Sequence, residues 1–345
     1  MGLFSKSEDF FGLDIGSMAI KLVQLRNTSD KPSLVTYGTA NIPLGLSQSD
    51  SEIDIRRLAE VVKQLAKGTR VTTKNVVTSL PENQVFTLVT KIPQMPPLEL
   101  AKAVKWQADQ NLPIKIDDVK LDWQVINAPK DGNIPFTVMI IAAPIERVKR
   151  IAKLIDEAGL NLLALETANI AIARALANLP GSKIMILDIG AMTTEIAIVE
   201  NHIMLHSRSV TVGGEAFTRA ISHTLGLDLT QAEQFKKKFG LTLDKLEGRV
   251  FKAVKPILSN IVDEVARSMQ YFEEQFGSRV DLVLISGGSA KMPEMATFFA
   301  KTLNIDVQIA NPWKRISFPV SVQEDILNNA PDYATVIGLA MREAK

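Results

Sequence analysis

Cysteine is absent from this chain, and histidine is scarce. The 345 residues include no cysteine and three histidines. The absence of thiols excludes disulfide bonds, thiolate catalysis and cysteine-based metal sites. The histidines, His202, His206 and His223, show no pattern of metal ligation, and we expect surface or partly buried positions for them. This composition is compatible with a cytoplasmic location.

Long hydrophobic runs and a dominant charge sign are also missing. No segment approaches the ~18–20 apolar residues that a membrane-spanning helix needs, and the longest run, 136–145, is typical of a buried strand. The first residues fit neither a signal peptide nor the myristoylation pattern, because Lys6 stands where Ser or Thr is required. The net charge of +1 offers no general basic field for a nucleic acid. We therefore expect a cytoplasmic globular protein that contacts a membrane only indirectly and binds no nucleic acid.

One short phrase occurs twice in the sequence. Leu-Asp-Ile-Gly stands at 13–16 and again at 187–190, and each copy lies between two apolar runs. This pattern predicts two β-hairpins with a tight, glycine-containing turn. Backbone N–H groups of such a turn can surround an anion, and the aspartates Asp14 and Asp188 could hold a divalent cation through water. The repetition suggests a duplicated domain that closes on one phosphate chain from both sides.

Hydrophobic periodicity along the chain predicts alternating strands and helices, which indicates an α/β fold. Strands are predicted at 10–16, 19–25, 33–40, 75–80, 119–128, 135–143, 161–166 and 282–285, besides the second hairpin. Helices are predicted at 52–67, 98–110, 145–158, 167–178, 213–226, 230–239, 249–276 and 333–342, with another after Ser289. Residues 83–158 carry their own strand–helix–strand–strand–helix pattern, which predicts an inserted subdomain. Pro180 and Gly181 mark the boundary between the two halves.

The two turns supply most candidate binding residues. In the first turn Gly16 and Ser17 could offer N–H groups and a hydroxyl to phosphate, and strand alternation could point Lys21 toward the same anion. An exposed lysine on a surface hairpin is the alternative. The second turn provides the backbone of two small residues and two hydroxyls, unless its threonines only serve a strand pair. These residues are Gly190, Ala191, Thr193 and Thr194.

Three further features could belong to the same site. Gly287 and Gly288 follow an apolar strand and would let a flat base approach the main chain, although an ordinary strand–helix turn has the same sequence. Glu166 ends another strand, where a carboxylate either caps a helix or orients an attacking water. The pair Gly213 and Gly214 is followed by two charged residues. These could belong to the site, or they could simply form an ion pair with each other on one helix face. These are Glu233 and Lys236.

The order of these motifs along the chain resembles that of the actin-like ATPase superfamily over nearly the full length. Within it, the sequence is most similar to the PilM family of type IV pilus assembly proteins, followed by the FtsA family of cell-division proteins. The segments that carry the resemblance are 11–25, 212–218, 232–233 and 334–340. The resemblance implies two duplicated RNase H-like domains around a nucleotide cleft, with an inserted subdomain of the FtsA and PilM type.

The resemblance also implies a domain organisation and a cofactor. The first core subdomain would comprise 1–82 and 159–181, the insertion 83–158, the second core 182–210 and 278–345, and a helical nucleotide-covering subdomain 211–277. ATP and Mg²⁺ would occupy the cleft. Asp14 and Asp188 would hold Mg²⁺ through water, and Glu166 would polarise water in any hydrolysis, which we expect to be slow or negligible. Thr167 follows it where several relatives have proline, so the sequence departs from the family pattern at this position.

Further roles follow by position in the family. Ser17 and Lys21 would face the β-phosphate, and the second turn the γ-phosphate. Glu233 and Lys236 would touch ribose or adenine. The base would be covered by Gly287, Gly288 and Ser289.

The family resemblance implies a role in assembly. PilM-like proteins form a cytoplasmic ring or layer at the inner-membrane base of the pilus machine and capture the cytoplasmic N-terminal peptide of PilN. Other platform and motor proteins and further copies of the chain are implied as partners. Strands near 84–92 and 135–143 could supply an edge or groove for an extended partner, unless they only pair with each other.

Two other functions share the superfamily. A filament-forming ATPase of the FtsA or MreB kind is the main alternative. FtsA relatives end in a linker and an amphipathic helix, whereas this sequence ends at 342–345 shortly after a core-like helix, and Leu3 and Phe4 make a weak membrane anchor. A small-molecule kinase would need a second acid near a substrate pocket, and the sequence identifies none.

Overall fold

The computed structural model describes residues 9–26, 31–177 and 179–342. Leu3, Phe4, the last residue of the predicted helix ending at 178, and the C-terminal residues 343–345 lie outside the described part of the chain. Thirteen strands and ten α-helices are defined within the described part, together with several short 3₁₀ turns.

The first half is built on a five-stranded sheet whose order is β3-β2-β1-β4-β8. Its strands are β1 (Phe11–Ile15), β2 (Ala19–Arg26), β3 (Ser33–Asn41), β4 (Asn75–Leu80) and β8 (Asn161–Thr167). Strand β2 is antiparallel to β1 and β3, whereas β4 runs parallel to both β1 and β8. The predicted limits of these five strands agree with the observed bounds to within one residue.

Strands of the second half repeat this topology in the order β11-β10-β9-β12-β13. They are β9 (Lys183–Ile189), β10 (Thr194–Glu200), β11 (Ile203–Val210), β12 (Leu282–Ser286) and β13 (Val307–Ile309). Here too the first strand, β9, pairs antiparallel with the next strand, β10, and parallel with β12 on its other side. The duplication predicted from the repeated phrase is therefore confirmed at the level of sheet order.

The segment between β4 and β8 of the first sheet forms a three-stranded antiparallel sheet of order β5-β7-β6. It consists of β5 (Phe86–Ile92), β6 (Val119–Asn127) and β7 (Phe136–Pro144). Strand β7 pairs on both sides, so the prediction that residues 135–143 offer a free edge is wrong. The alternative that the two strands only pair with each other is not observed either, because β7 pairs with both β5 and β6, which form the two edges of the sheet.

Helices cover the sheets. They are α1 (Glu52–Thr69), α2 (Pro97–Asn111), α3 (Ile145–Glu157), α4 (Ala168–Leu176), α5 (Gly214–Leu225), α6 (Leu229–Phe239), α7 (Arg249–Phe276), α8 (Met295–Leu303), α9 (Gln323–Asn328) and α10 (Ala334–Ala340). Amphipathic spacing explains α1, whose buried side chains Ile55, Leu58 and Val62 recur every three or four residues. Among the described residues, no helix is both long and apolar enough to cross a bilayer.

The two faces of the first sheet bury different helices. Phe11 and Leu13 of β1 share a hydrophobic cluster with α1 and α3. Gly12 points to the opposite face, where the backbone of α10 lies against it, because successive residues of a strand alternate. Helix α10 also crosses α4 closely at Gly338, where a side-chain carbon would collide with the carbonyl of Ala171. The last helix of the described chain is thereby packed against the sheet of the first half.

Candidate functional site

The two repeated turns have the same local structure. In the β1–β2 turn the N–H of Gly16 donates to the carbonyl of Ala19 at 3.0 Å, and in the β9–β10 turn the N–H of Gly190 donates to that of Thr193 at 2.9 Å. The strand register is also equivalent, since Asp14 lies opposite Lys21 and Asp188 opposite Glu195. The N–H groups of Gly16 and Gly190 are therefore used within the turns, and the prediction that they donate to phosphate is corrected. The next residues, Ser17 and Ala191, line the cleft.

Both turns line one cleft of about 1130 Å³. The cleft brings together most of the predicted binding residues, from separate stretches of the chain. They are Asp14, Gly16, Ser17, Lys21, Asp188, Gly190, Ala191, Thr193, Gly214, Glu233, Lys236, Gly287, Gly288 and Ser289. Three predicted residues, Glu166, Thr194 and Gly213, do not line it.

Asp14 and Asp188 are the acidic groups at the base of the turns. Burial raises the pKa of Asp14, opposed by the ammonium group of Lys21 at 3.8 Å. Burial also raises the pKa of Asp188 to about 6, opposed by a hydrogen bond that Ser286 Oγ donates at 2.7 Å. The two carboxylates repel each other, and each raised pKa reflects the cost of holding negative charge away from water. A divalent cation would relieve that cost.

Thr194 and Gly213 support the second turn from behind. The Thr194 hydroxyl is buried and donates to the carbonyl of Val212 at 2.7 Å. Gly213 packs directly against the backbone of Gly190 and Ala191, and the next N–H, that of Gly214, donates to the Gly190 carbonyl at 2.9 Å. The prediction that both residues contact a ligand is therefore corrected, because strand alternation turns Thr194 away from the cleft while Thr193 lines it.

Glu233 and Lys236 form the ion pair that the sequence left as an alternative to a ribose contact. Lys236 Nζ lies 2.6 Å from Glu233 Oε2 and also donates to Gly214 O and Thr218 Oγ1 at 3.0 and 2.9 Å. Burial lowers the pKa of Lys236, opposed by the carboxylate of Glu233. The pair links α6 to the start of α5 and still lines the cleft, so the two interpretations are compatible.

The third glycine pair ends β12. Gly287 has φ of 82°, a conformation that favours glycine, and its N–H donates to the carbonyl of Pro331. A side chain there would meet the backbone of Ile189, whereas one at Gly288 would extend into open space, with Asp332 Oδ1 no closer than 3.9 Å to its β-carbon. A short 3₁₀ turn, 288–291, follows where the sequence predicted a helix, and α8 begins only at Met295.

Glu166 lies elsewhere. Its carboxylate receives two hydrogen bonds from Arg174, at 2.7 and 2.9 Å, and a third from Arg342 at 2.6 Å. Its side chain is 6% exposed. This placement contradicts the prediction that Glu166 faces a bound nucleotide and polarises water. The prediction failed because the partner arginines come from α4 and from beyond α10, and no local pattern in the sequence indicates that they converge.

Four acidic residues in the cleft were missed; Glu215 and Asp332 are paired with Arg219 and Lys291, whereas the other two form no ion pair among the described residues. Glu82 and Glu195 both line it, are 5% and 6% exposed, and each keeps an Oε2 without a hydrogen-bond partner among the described residues. Burial raises the pKa of Glu82 and raises that of Glu195 to about 8, opposed by hydrogen bonds from nearby hydroxyls. The hairpin register could have predicted Glu195, which occupies the position equivalent to Lys21. No motif marks Glu82.

The donor set suits a hydrated metal bound to phosphates. Within 9–26, 31–177 and 179–342, no three acidic or histidine side chains cluster as a metal site made of protein alone. Mg²⁺ commonly keeps several waters and takes one or two carboxylates together with substrate phosphates. The two half-buried aspartates and the unpartnered oxygens of the cleft fit that mode of binding.

Comparison with known proteins places the chain in a family. Residues 12–344 match the family described as type IV pilus assembly protein PilM. The ethanolamine utilization protein EutJ of Escherichia coli is 29% identical over 34% of this chain and 37% of its own length. The cell division protein FtsA of Neisseria meningitidis is 25% identical over 68% of this chain and 62% of its own length. The alignments thus span less than two thirds of these curated relatives.

Solved structures share the architecture. A PilM-PilN type IV pilus biogenesis complex superposes with a TM-score of 0.87 at 28% identity, covering 99% of this chain and 100% of the other. MreB5 of Spiroplasma citri bound to AMPPNP superposes with a TM-score of 0.54 at 14% identity, covering 96% and 95%, which is a likeness of fold alone. The fold is therefore the predicted actin-like ATPase fold, and the chain belongs to the PilM family of type IV pilus assembly proteins.

Proposed function

We propose that the cleft binds Mg-ATP and that the loaded protein serves as an adaptor at the cytoplasmic base of a type IV pilus machine. The observation that carries the first part is the pair of equivalent turns, which present Asp14 and Asp188 to one cavity. Two half-buried carboxylates with raised pKa values support a cation-dependent phosphate site, because a bound cation would offset the cost of their negative charge. Family membership supports the second part.

Each cleft residue then has a role toward the nucleotide. Asp14 and Asp188 would hold the hydrated Mg²⁺, which when bound neutralises phosphate charge. Ser17 and Lys21 would contact the β-phosphate, and Ala191 with Thr193 the γ-phosphate. Glu233 and Lys236 would meet ribose or adenine, and the turn at 287–289 would cover the base.

Hydrolysis would be slow at most. Phosphoryl transfer needs a water placed in line with the leaving oxygen, and a carboxylate or amide must orient it. Glu166 is held by two arginines outside the cleft lining. Both of its carboxylate oxygens accept hydrogen bonds from these arginines, so it is not placed to orient a water in the cleft. Nucleotide would therefore act mainly as a bound structural ligand.

The proposed protein partner is the cytoplasmic N-terminal peptide of a PilN-like membrane protein. One of the structural neighbours is a PilM-PilN complex. Strand β5 supports an extended mode of binding, because it is an edge strand of the inserted sheet with half-buried side chains along most of its length. Other platform and motor proteins, a ring of copies, and attachment to the inner membrane through these partners belong to the same proposal.

A calorimetric titration tests the proposal. The full-length protein is titrated with a synthetic peptide from the N-terminus of the PilN-like protein encoded in the same genome, with and without Mg-ATP, and with a peptide of scrambled sequence as the control. We expect the authentic peptide to bind with one-to-one stoichiometry and the scrambled peptide not to bind. No binding in either state, together with ATP-dependent sedimentation of the protein, would contradict the adaptor role and favour a filament-forming ATPase.

A further inference from the structure

We propose that Glu82 transmits nucleotide loading of the cleft to strand β5 of the inserted sheet. The proposal rests on the proposed binding of Mg-ATP and adds a route by which it would regulate the inserted subdomain. Glu82 follows β4, at the point where the chain leaves the first sheet and enters the inserted segment. It is the residue at which the cleft, the first half and the insertion meet.

The hydrogen bonds of Glu82 connect three parts of the molecule. Its Oε1 accepts from Thr87 Oγ1 of β5 at 3.0 Å and from Ser207 Oγ of β11 at 2.5 Å. Ser207 in turn accepts from Asn169 Nδ2 of α4 at 2.9 Å. One carboxylate oxygen thus joins the inserted sheet to the edge strand of the second half.

The second carboxylate oxygen of Glu82 is buried and has no such bonds to the described residues. Glu82 lines the cavity, is 5% exposed, and its Oε2 has no hydrogen-bond partner among the described residues. Glu195, another carboxyl group without a cationic partner in the described structure, lies close enough that negative charge on Glu82 contributes to its raised pKa. Within the described part of the chain, hydroxyl and backbone groups contact the Glu82 carboxyl group, and no cationic side chain neutralises negative charge on it.

A bound polyphosphate would act on this charge. Repulsion between like charges is screened only weakly when the groups are largely buried. Displacement of the Glu82 carboxylate would weaken the hydrogen bond to Thr87. The connection to β5 is short, with Gln84 N–H donating to Pro81 O and Val85 N–H to Glu82 O, so little flexible chain is available to absorb the movement. The first residues of β5 would respond.

Hydrogen–deuterium exchange measures that response. The full-length protein is compared with and without saturating Mg-ATP, and the exchange rates of amides 86–88 are followed. In the wild type, Mg-ATP is expected to speed exchange there by about fivefold, the lower end of common couplings between sites. In Glu82→Gln, which keeps an oxygen acceptor but removes the charge, the ratio of rates with and without nucleotide should fall to about one.

A second variant separates coupling from folding. Thr87→Val removes the hydroxyl from β5 and leaves the Glu82 carboxyl group in place, so its affinity for Mg-ATP should match the wild type while the β5 response is lost.

A purely structural role of Glu82 would change exchange equally in both nucleotide states and leave the ratio of rates intact. A response that persists in Glu82→Gln, or a wild type that binds Mg-ATP without any change at 86–88, overturns the inference alone. A wild type that does not bind Mg-ATP, measured in the same samples by calorimetry, refutes the proposed function and with it this inference.

Discussion

Arg174 binds both carboxylate oxygens of Glu166, at 2.7 and 2.9 Å, and its Nη1 also donates to the carbonyl of Gly338 in α10. Arg342, which follows α10, binds the same carboxylate. This cluster connects the last helix to α4 and to the end of β8. Glu166, which sequence order assigned to catalysis, thus has a structural role.

Replacing Glu166 by glutamine should therefore affect stability more than ligand binding. The variant leaves two arginines without their counter-charge, and we expect the free energy of unfolding to fall by about 1–3 kcal/mol, less than for a fully buried pair because both arginines are partly exposed. Its affinity for Mg-ATP should stay within about twofold of the wild type. Urea denaturation and nucleotide titration measure the two quantities. Unchanged stability together with lost Mg-ATP binding would contradict this account and indicate that Glu166 contacts the nucleotide.

The neighbouring threonines of the second turn should likewise differ, one affecting stability and the other nucleotide affinity. Thr194→Val removes a buried donor to the Val212 carbonyl, which should cost about 1–3 kcal/mol of stability with little effect on nucleotide affinity. Thr193→Val alters a side chain that lines the cleft and should weaken Mg-ATP binding by about threefold to tenfold. Paired denaturation and titration of the two variants provide the comparison. Equal losses of affinity would mean that strand alternation does not set their roles.

Stability should depend on pH through Glu195. Burial raises the pKa of this group from 4.5 to about 8, so the folded state holds a proton that the unfolded state releases between these values. The corresponding stability is fully present below about pH 4.5 and is lost as the pH rises through about 8. Glu195→Gln lacks this dependence, and its stability relative to the wild type should rise by on the order of 3 kcal/mol between about pH 5 and about pH 8.5.

Urea denaturation of both proteins at the two pH values, without nucleotide, measures this difference. A constant difference between wild type and Glu195→Gln across the range would show that the carboxyl group is not buried as described.

Two glycines provide a matched test of packing. Gly338→Ala places a methyl group against the backbone of Ala171, where α10 crosses α4, and should destabilise the protein by about 3 kcal/mol or more. Gly68→Ala, near the end of α1, meets open space and should stabilise it by about 0.5–1 kcal/mol. Thermal and urea unfolding of both variants measure the contrast. A tolerated Gly338→Ala would contradict the close approach of the two helices.

Local patterns predicted the fold well because each element carries its own signal. The repeated Leu-Asp-Ile-Gly phrase indicated two hairpins, and the structure contains both with equivalent hydrogen bonds and register. Long amphipathic helices such as α7 agree with their predicted limits. The pairing order of the inserted sheet was not predictable in this way, since it depends on how three strands meet, and β7 proved central rather than exposed.

Site residues were predictable where a motif fixes the backbone and unpredictable where distant parts of the chain converge. The placement of Asp14, Asp188 and the residues after each turn glycine follows directly from hairpin geometry. Glu166 has the sequence position of a catalytic acid, but Arg342 lies 176 residues away and decides its environment. Glu82 gains its importance from Thr87 and Ser207, the latter 125 residues distant, and no spacing rule reports such a contact.

Titration of Mg-ATP into the wild type, Asp14→Asn, Asp188→Asn and the double variant tests the central claim most directly. Asp117→Asn, an acidic position outside the cleft lining, serves as the control. We predict that each single cleft variant weakens binding by about tenfold or more, since a charged contact contributes ~1.5–3 kcal/mol, and that excess EDTA abolishes tight binding by the wild type. Equal affinity in all these proteins, or binding indifferent to Mg²⁺, would contradict the assignment of the two aspartates to a metal–phosphate site.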